Sequence, residues 1–252
     1  MKRGKKSMKI NSESTVPVYL QVANEIKSNI RDKTLKPGDM LPSDRVYCEQ
    51  LSVSHMTVKK AIDLLVNEGL VVRKKGVGTF ISEPKITQSL FTLTGFTGDN
   101  KAPGKHTHSR ILRFREEKPS QAVAEKLGIS TEDSVINLKR LRMINDEIVA
   151  LEDAYINNKE KRYQEIMRHD FETESLYQVL GEKCGVKLGR AKETIEVSSA
   201  TEEINIQMGV PLGRPMFYLS RISYGEGEVP VEYVESVYRA DKYIFSAVLT
   251  TP

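Results

Sequence analysis

The chain has 252 residues, of which 39% are hydrophobic and 29% charged, with a net charge of +4. This composition is that of an ordinary globular protein and excludes a disordered or collagen-like chain. No apolar run reaches the roughly 20 residues that a membrane-spanning helix needs, and no apolar core follows the basic N-terminus as a secretory signal would require. We therefore expect a cytoplasmic protein with no membrane partner. Only two cysteines and four histidines are present, without metal-site spacing, so we expect no metal and no cofactor.

Positive charge is concentrated in the first third of the chain. Residues 1–83 hold 15 Lys and Arg against 9 Asp and Glu, whereas residues 84–252 hold 23 against 25. The balance is therefore +6 in the first part and −2 in the second. A basic end on a near-neutral body is typical of a nucleic-acid-binding domain joined to a second domain. Residues 1–15 are predicted to form a flexible basic arm.

Three helices are predicted after the arm. The first runs from Pro17 to about Arg31, because proline suits a first helical turn and apolar residues recur there every fourth position. Ser43 caps a second helix, which ends near residue 51. Ser54 caps a third helix, and Gly69 ends it.

The third helix has an apolar side and a basic side. The apolar residues from position 58 to position 65 fall at helical spacing, and they predict the side that faces the core. His55, Lys59 and Lys60 must then face outward near the N-terminal end of the helix. The following residues 70–81, LVVRKKGVGTFI, predict a two-stranded hairpin with a basic, glycine-containing tip. Three helices and a basic hairpin make a winged helix-turn-helix, in which exposed cations meet phosphates and base edges of DNA.

The same residues resemble a known family. The resemblance to the DNA-binding domain of the GntR family rests on many fixed spacings within residues 16–81, carried by Tyr19-x-Gln21, LKPGDMLPSDR (35–45), VSHMTVKKA (53–61), EGLV (68–71) and GVGTF (76–80). In that family the corresponding arginine, the basic residue after Thr-Val and the wing glycine contact the operator. The resemblance therefore implies that Arg45, Lys59 and Gly76 contact double-stranded DNA. The predicted DNA-binding set is completed by residues of the same motif, namely Ser54, His55, Thr57, Lys60 and Lys75.

Three of these basic positions have a structural alternative. Arg45 could form an ion pair with a neighbouring helix, although the motif favours a DNA contact. Lys60 is as readily a solvated lysine as a phosphate contact. For residues 73–75 at the wing, phosphate contact is the favoured interpretation.

The rest of the chain is predicted to be a second domain that contains an internal repeat. Residues 82–92 have no clear periodicity and are interpreted as a linker, so the second domain is placed at 93–248. The stretch that begins at residue 118 resembles the stretch that begins at 199, with Gly128 matching Gly209 and Arg140 matching Arg221, 81 positions apart. A one-residue deletion then aligns Glu152 with Glu232. Each copy predicts a capped helix, a glycine stop and a β-hairpin, which gives an α+β domain with a pseudo-twofold antiparallel sheet.

Two helix starts and two turns are predicted within the repeat. Pro119 opens the first helix, and a capping box of Ser199 and Glu202 opens the second. The hairpin turns are placed at residues 145–146 and 225–227. Pockets often form between such halves, so the seam between the copies is the default binding site.

Charged residues of the repeat suggest an anion site. Strand alternation places Arg140 and Arg142 on one face, where they could hold a phosphate or carboxylate, and Glu152 and Glu232 could accept from hydroxyl groups. Ordinary cross-strand Arg–Glu pairs explain the same pattern, and the spacing alone modestly favours that explanation.

A second resemblance favours the anion site. Residues from about 93 to 246 resemble the UTRA effector domain, which is typical of the HutC subfamily of GntR regulators. The fold of that domain is chorismate lyase-like. The matching stretches are LTGFTGD (93–99), LKRLR (138–142), VALEDAYI (149–156), ESLYQVL (174–180), GRAKETIEVSSATEE (189–203) and VEYVESVYRADKYIF (231–245). The resemblance implies a phosphate site at Phe96, Thr97, Arg140, Arg142 and Ser175. It also implies a sugar site at Arg190, Glu152, Glu232 and Tyr238.

A transcriptional regulator, most simply a repressor, is the function that these features favour. It would bind a pseudo-palindromic operator as a homodimer and respond to a small anionic effector. The resemblance implies a sugar phosphate, with glucosamine-6-phosphate or its N-acetyl form as the best candidate. A chorismate lyase-like enzyme is the first alternative, but no nucleophile–base pair stands out. An architectural DNA binder without an effector is the second, and the size of the second domain argues against it. We therefore do not expect an enzyme.

Overall fold

The computed structural model describes residues 10–11, 13–74, 76–100 and 106–249. They divide into two compact units, with the boundary between Pro84 and Lys85. Most of the predicted basic arm, Lys75 and residues 101–105 lie outside the described residues. Within the described ranges, no helix combines the length and the apolar character needed to cross a membrane.

The N-terminal unit is the predicted winged helix-turn-helix. Its elements are α1 (Val18–Arg31), α2 (Asp44–Leu51), α3 (His55–Asn67), β1 (Val71–Lys74) and β2 (Gly78–Ile81). The inward sides of the three helices form one core, closed by Val71 and Ile81 at the base of the hairpin. The three predicted helices and the hairpin are thus confirmed.

Local signals set the ends of these helices. Ser43 caps α2 by accepting from the Val46 backbone N–H at 3.4 Å, and Ser54 caps α3 by accepting from the Thr57 N–H at 3.2 Å. The turn between α2 and α3 is short because Ser52 adopts a left-handed conformation with φ of 52°. Gly69 follows α3 with φ of +73°, a conformation that glycine adopts without steric cost.

Part of the predicted linker is a strand. Ile86–Ser89 forms β3, which pairs in parallel with β10 (Tyr243–Ser246) near the end of the chain. Ile86 and Gln88 are buried, whereas Thr87 and Ser89 are exposed. The interpretation of residues 82–92 as a linker did not include this strand, because β3 contains a single buried apolar residue and its partner strand is distant in sequence.

A six-stranded antiparallel sheet forms the body of the C-terminal unit. Its strand order is β4-β5-β6-β9-β8-β7. The strands and helices of this unit, apart from β3 and β10, are α4 (Gly95–Asp99), β4 (Thr107–Glu117), α5 (Gln121–Leu127), β5 (Val135–Ile144), β6 (Glu147–Asn157), α6 (Leu176–Cys184), β7 (Arg190–Ser199), α7 (Glu202–Met208), β8 (Pro215–Tyr224) and β9 (Pro230–Arg239). Short 3₁₀ turns lie at Lys159–Lys161, Gln164–Arg168 and Glu226–Glu228.

The sheet has the pseudo-twofold order that the repeat predicts. Each copy contributes a strand, a helix and a hairpin, β4-α5-β5-β6 and β7-α7-β8-β9, and β6 pairs with β9 at the centre. The helices α5 and α7 end at Gly128 and Gly209, both left-handed. The α7 side chains Ile204 and Met208 cover Leu151 on one face of the sheet.

The structure corrects two details of the repeat. Ser199 belongs to β7, and the cap of α7 is Thr201, whose hydroxyl accepts from the Ile204 N–H at 3.4 Å. In the first copy Ser120 caps α5, so Pro119 precedes the cap and does not open the helix. Ser is favoured at the N-cap because its hydroxyl satisfies a free helix donor, which proline at the preceding position cannot do.

The strand register separates the two glutamates that the repeat aligned. Glu152 lies opposite Arg140 in the β5–β6 hairpin, but Val234 lies opposite Arg221 in β8–β9. Glu232 instead lies opposite Ser223. The β8–β9 turn is longer than the two-residue turn at residues 145–146, which shifts β9 relative to the sequence alignment. The two carboxylates are therefore not symmetry mates.

Candidate functional site

The exposed side of α2, α3 and the wing presents most of the predicted DNA-binding residues. The Arg45 side chain is 88% exposed, and its Nε donates to Glu49 Oε1 at 2.9 Å within the same helix. Lys59 and Lys60 are exposed on α3 and form no ion pair with any described residue. The His55 Nε2 lies 3.6 Å from Asp44 Oδ2. Arg45, Lys59 and Lys60 are therefore exposed cations that a polyanion can reach.

Two predicted DNA-binding residues have a structural role at the start of α3. The Ser54 hydroxyl accepts from the Thr57 backbone N–H and lies 2.9 Å from the Thr57 hydroxyl. Gly76 occupies the wing tip with φ of +74°, and a side chain there would meet nothing within 4 Å. The wing tip is thus shaped by its backbone and sterically open.

The wing does not present three free cations. Arg73 Nη1 donates to Asp63 Oδ1 on α3 at 2.7 Å, and Lys74 Nζ lies 5.0 Å from the centroid of the Phe80 ring. Arg73 is therefore engaged within the protein, which differs from the phosphate contact favoured for this stretch. Lys75 lies outside the described residues.

A cavity on one face of the C-terminal sheet collects most of the predicted effector residues. It lies under α4 and the first turn of α6, away from the face that α5 and α7 cover. Its lining residues that the sequence predicted are Phe96, Thr97, Arg140, Arg142, Glu152, Ser175 and Glu232. The cavity measures about 10 Å³, which is space for about one water molecule.

Arg140, Arg142 and Glu152 form the buried centre of this cavity. Arg140 Nη2 donates to Glu152 Oε1 at 2.5 Å, and Arg142 Nη2 donates to the same oxygen at 2.7 Å. Burial alone would raise the pKa of Glu152, but Arg142 and Arg140 outweigh it and lower the pKa to about 2. The carboxylate is thus ionised at neutral pH.

Arg140 has hydrogen-bond donors that no described residue accepts from. Its side chain is fully buried, and its Nε and Nη1 have no hydrogen-bond partner among the described residues. Burial and the neighbouring Arg142 lower the pKa of Arg140 to about 10, so the guanidinium stays charged at neutral pH. Buried donors without a partner are costly in a folded protein, by about 1–3 kcal/mol each. A ligand with acceptor atoms would remove that cost.

The other wall of the cavity contains residues that the sequence reasoning missed. The Tyr177 hydroxyl donates to Glu232 Oε2 at 2.8 Å, and Ser223 Oγ donates to the same oxygen at 3.2 Å. Burial raises the pKa of Glu232, and Arg221 only partly offsets it. Arg221 also lines the cavity, and its Nε has no partner among the described residues. The repeat contained the signal for Arg221, since it aligned with Arg140.

Two predicted effector residues do not line this cavity. Arg190 is half exposed at the start of β7, where its Nε donates to Glu228 at 2.8 Å and its guanidinium covers the Tyr224 ring. Tyr238 is buried in an aromatic cluster and packs edge-on against Tyr243 with ring centroids 4.7 Å apart. Burial raises its pKa. Its ring belongs to the same apolar cluster as Phe96, which lines the cavity.

Family models match both units. Residues 18–81 match the model described as "Bacterial regulatory proteins, gntR family", and residues 102–244 match the model of the UTRA domain. The chain is 37% identical to the HTH-type transcriptional repressor NagR of Bacillus subtilis over 94% of this chain and 97% of that protein. It is 28% identical to the Mannosyl-D-glycerate transport/metabolism system repressor MngR of Escherichia coli over 92% of this chain and 95% of that protein.

Solved structures give the same result. The crystal structure of PhnF from Mycobacterium smegmatis superimposes with a TM-score of 0.64 at 27% identity, covering 92% of this chain and all of that chain. YydK of Bacillus subtilis, a possible transcriptional regulator, superimposes with a TM-score of 0.55 at 26% identity over 92% of this chain and 99% of that one. NagR, MngR and YydK are named as transcriptional repressors or regulators. The chain therefore belongs to the GntR family of bacterial DNA-binding transcriptional regulators, with the UTRA domain and the architecture of the HutC type.

Proposed function

We propose that the protein is a repressor that binds a pseudo-palindromic operator as a homodimer and responds to an anionic sugar phosphate. Two winged helices on a dimer would read two half-sites, whose spacing is set by the dimer. An effector changes operator affinity only by as much as it prefers one arrangement of the dimer, and about 1–3 kcal/mol of coupling is typical. Glucosamine-6-phosphate and its N-acetyl form are the candidates that the sequence resemblance favours.

The DNA contacts proposed are those of the exposed helix face and wing. Arg45 is the first candidate for a base contact, since its planar fork suits guanine and its one ion-pair partner among the described residues is a surface glutamate. Lys59 and Lys60 supply charge to phosphates, which a lysine does as a point charge. The complete proposed set remains Arg45, Ser54, His55, Thr57, Lys59, Lys60, Lys75 and Gly76.

The buried Arg140 is the single observation that supports an anionic effector most strongly. It combines full burial with two unused donors, beside a second buried arginine. The first turn of α6, which begins after the cap Ser175, faces the same cavity and adds the positive end of a nine-residue helix. A phosphate would therefore meet several donors together. Phe96 and Thr97 complete the proposed phosphate site.

The glutamates and Tyr177 are proposed to contact the sugar. Glu152 and Glu232 offer acceptor oxygens. Tyr177, in the first turn of α6, lines the same cavity, and its hydroxyl donates to Glu232. A cavity of about 10 Å³ is far below the several hundred that small-molecule sites occupy, so entry of a sugar phosphate requires its walls to separate. Neither Arg190 nor Tyr238 is proposed as a direct contact in this arrangement.

Thermal unfolding of the full chain tests the effector proposal. Each sugar phosphate is compared with its unphosphorylated parent. A specific ligand at 100 times its Kd adds about 2.7 kcal/mol to the free energy of unfolding, which raises Tm clearly. Stabilisation by glucosamine-6-phosphate or its N-acetyl form, and not by the parent sugar, supports the proposal. An unchanged Tm with every sugar phosphate would reject the effector and leave the DNA-binding assignment intact.

A further inference from the structure

The wing is attached to the N-terminal unit unequally on its two sides. On the β2 side, the Leu41 N–H donates to the Thr79 carbonyl at 2.8 Å, and the Ile81 N–H donates to the Asp39 carbonyl at 2.9 Å. These backbone bonds make residues 39–41 a third strand-like neighbour. Backbone pairing of this kind fixes β2 firmly. The outer strand β1 has no such neighbour among the described residues.

One ion pair joins β1 to α3, which we call the recognition helix because it carries Lys59 and Lys60 of the proposed DNA-binding set. Arg73 Nη1 on β1 lies 2.7 Å from Asp63 Oδ1 on α3, and both side chains are nearly half exposed. It is the one ion pair between wing and α3 within the part of the chain that the structure describes. Towards the tip β1 is exposed from Val72 onward. Among the described strands β1 pairs only with β2, so this ion pair is well placed to set the direction of the tip.

The pair contributes through geometry more than through stability. An exposed ion pair adds only about 0–1 kcal/mol to the free energy of unfolding. Asp63 lies on the helix that also carries Lys59 and Lys60, one turn after Lys59. A negative charge on that helix repels DNA phosphates unless a cation neutralises it. In this structure Arg73 is the cation that pairs with Asp63.

We infer that Asp63 and Arg73 are positioning residues that hold the wing at a fixed angle to the recognition helix, so that helix and wing reach their grooves together. Arg73 then acts within the protein and is not itself a phosphate clamp. The inference rests on the DNA-binding function and adds to it a determinant that the family motif does not single out.

Whether Asp63→Asn raises or lowers DNA affinity distinguishes the two possible roles of Arg73. The probe is a duplex that the unmodified full chain selects from a random-sequence pool, titrated at several salt concentrations. If Arg73 were a phosphate clamp restrained by Asp63, Asp63→Asn would free it and tighten binding. As a positioning pair, Asp63→Asn weakens binding by up to about fivefold, the limit set by an exposed ion pair, although it removes a negative charge. The salt slope also falls, because phosphate contacts of the wing are lost.

A matched pair in the same unit is the control. Glu49 and Arg45 form another exposed carboxylate–arginine pair, at 2.9 Å. Glu49→Gln frees an arginine proposed to touch DNA, so binding should stay the same or tighten. Of the two carboxylate-to-amide changes, only Asp63→Asn is thus expected to weaken binding. Tm of each variant should remain close to that of the unmodified chain.

Each other outcome overturns the inference. Tighter or unchanged binding by Asp63→Asn rejects the positioning role, and weaker binding with an unchanged salt slope assigns Asp63 to base contact instead. Should that variant fail to fold, Arg73→Gln is measured instead. If Arg73 is a positioning residue, the salt slope should fall by more than one phosphate contact, and if it is a phosphate clamp, by about one. If the unmodified chain selects no duplex at all, the DNA-binding function itself fails.

Discussion

Two arginines of this chain show how environment decides the role of one residue type. The Arg45 side chain is 88% exposed, whereas that of Arg140 is fully buried. An exposed guanidinium loses little hydration until DNA displaces water from it, so it can serve recognition. A buried guanidinium has lost its hydration already, and it needs acceptors within the fold or from a ligand. The sequence motif identified both residues, but burial distinguishes what each one can bind.

Replacing Arg45 with Ala should weaken binding to the selected duplex by about 1–3 kcal/mol and relax base preference. The reason is loss of a planar donor pair that fits guanine. Titration of the selected duplex and of single-base variants measures both effects. Equal affinity of the variant and the unmodified chain would remove Arg45 from the interface.

Glu152 should make stability depend on pH in the acidic range. Its pKa is lowered from 4.5 to about 2 in the folded chain, so the ionised form is stabilised by about 3 kcal/mol. That contribution is fully present above the unfolded pKa, and it is lost as pH falls through the folded pKa. Urea unfolding of the unmodified chain and of Glu152→Gln should differ by about 3 kcal/mol at pH 7.

This difference should shrink as pH falls from about 4 towards 2. Glu228→Gln is the matched control, because Glu228 pairs with Arg190 at the surface and solvent screens that pair. A much smaller pH-dependent change is expected there. If the difference in unfolding free energy between the unmodified chain and Glu152→Gln is the same at pH 7 and pH 3, the two arginines do not lower the pKa of Glu152.

At the scale of elements, the sequence predicts what local chemistry determines. Ser43 and Ser54 mark helix starts because an N-cap acts within one turn, and α2 and α3 begin there. Strand β3 could not be predicted this way, since its partner β10 is near the other end of the chain. Likewise the repeat predicted the order of the sheet but not its register, which the length of the β8–β9 turn sets. Tyr177 was missed because its partner Glu232 is distant in sequence.

The corrected cap of α7 gives a direct test at this scale. Thr201→Ala should lower the free energy of unfolding by about 1 kcal/mol, because the Ile204 N–H loses its acceptor. Ser199→Ala is the control and should change stability little, since Ser199 is an exposed residue of β7. Urea unfolding measures both. The reverse ranking would return the cap to Ser199 and the helix start to the capping box.

The whole molecule joins a DNA-binding unit to an effector unit, so the two functions should be separable by substitution. Arg140→Ala should abolish any change of operator affinity on adding a sugar phosphate, because the phosphate loses a buried partner. Operator affinity without effector should remain unchanged, since residue 140 lies in the unit that begins at Lys85. Arg140→Lys retains a positive charge facing Glu152 without the planar fork, and it should respond weakly.

Lys59→Ala should impair operator binding and leave effector binding intact, the opposite of Arg140→Ala. It should weaken operator binding and lower the salt slope by about one phosphate contact, while the rise in Tm with sugar phosphate persists. Binding linkage requires that an effector which changes operator affinity is itself bound differently when operator is present. Arg140→Ala should therefore also remove the effect of operator on sugar phosphate binding. A variant at Arg140 that still responds would place the phosphate elsewhere in the effector unit, with Arg221, the second cavity arginine with an unused donor, as the next position to change.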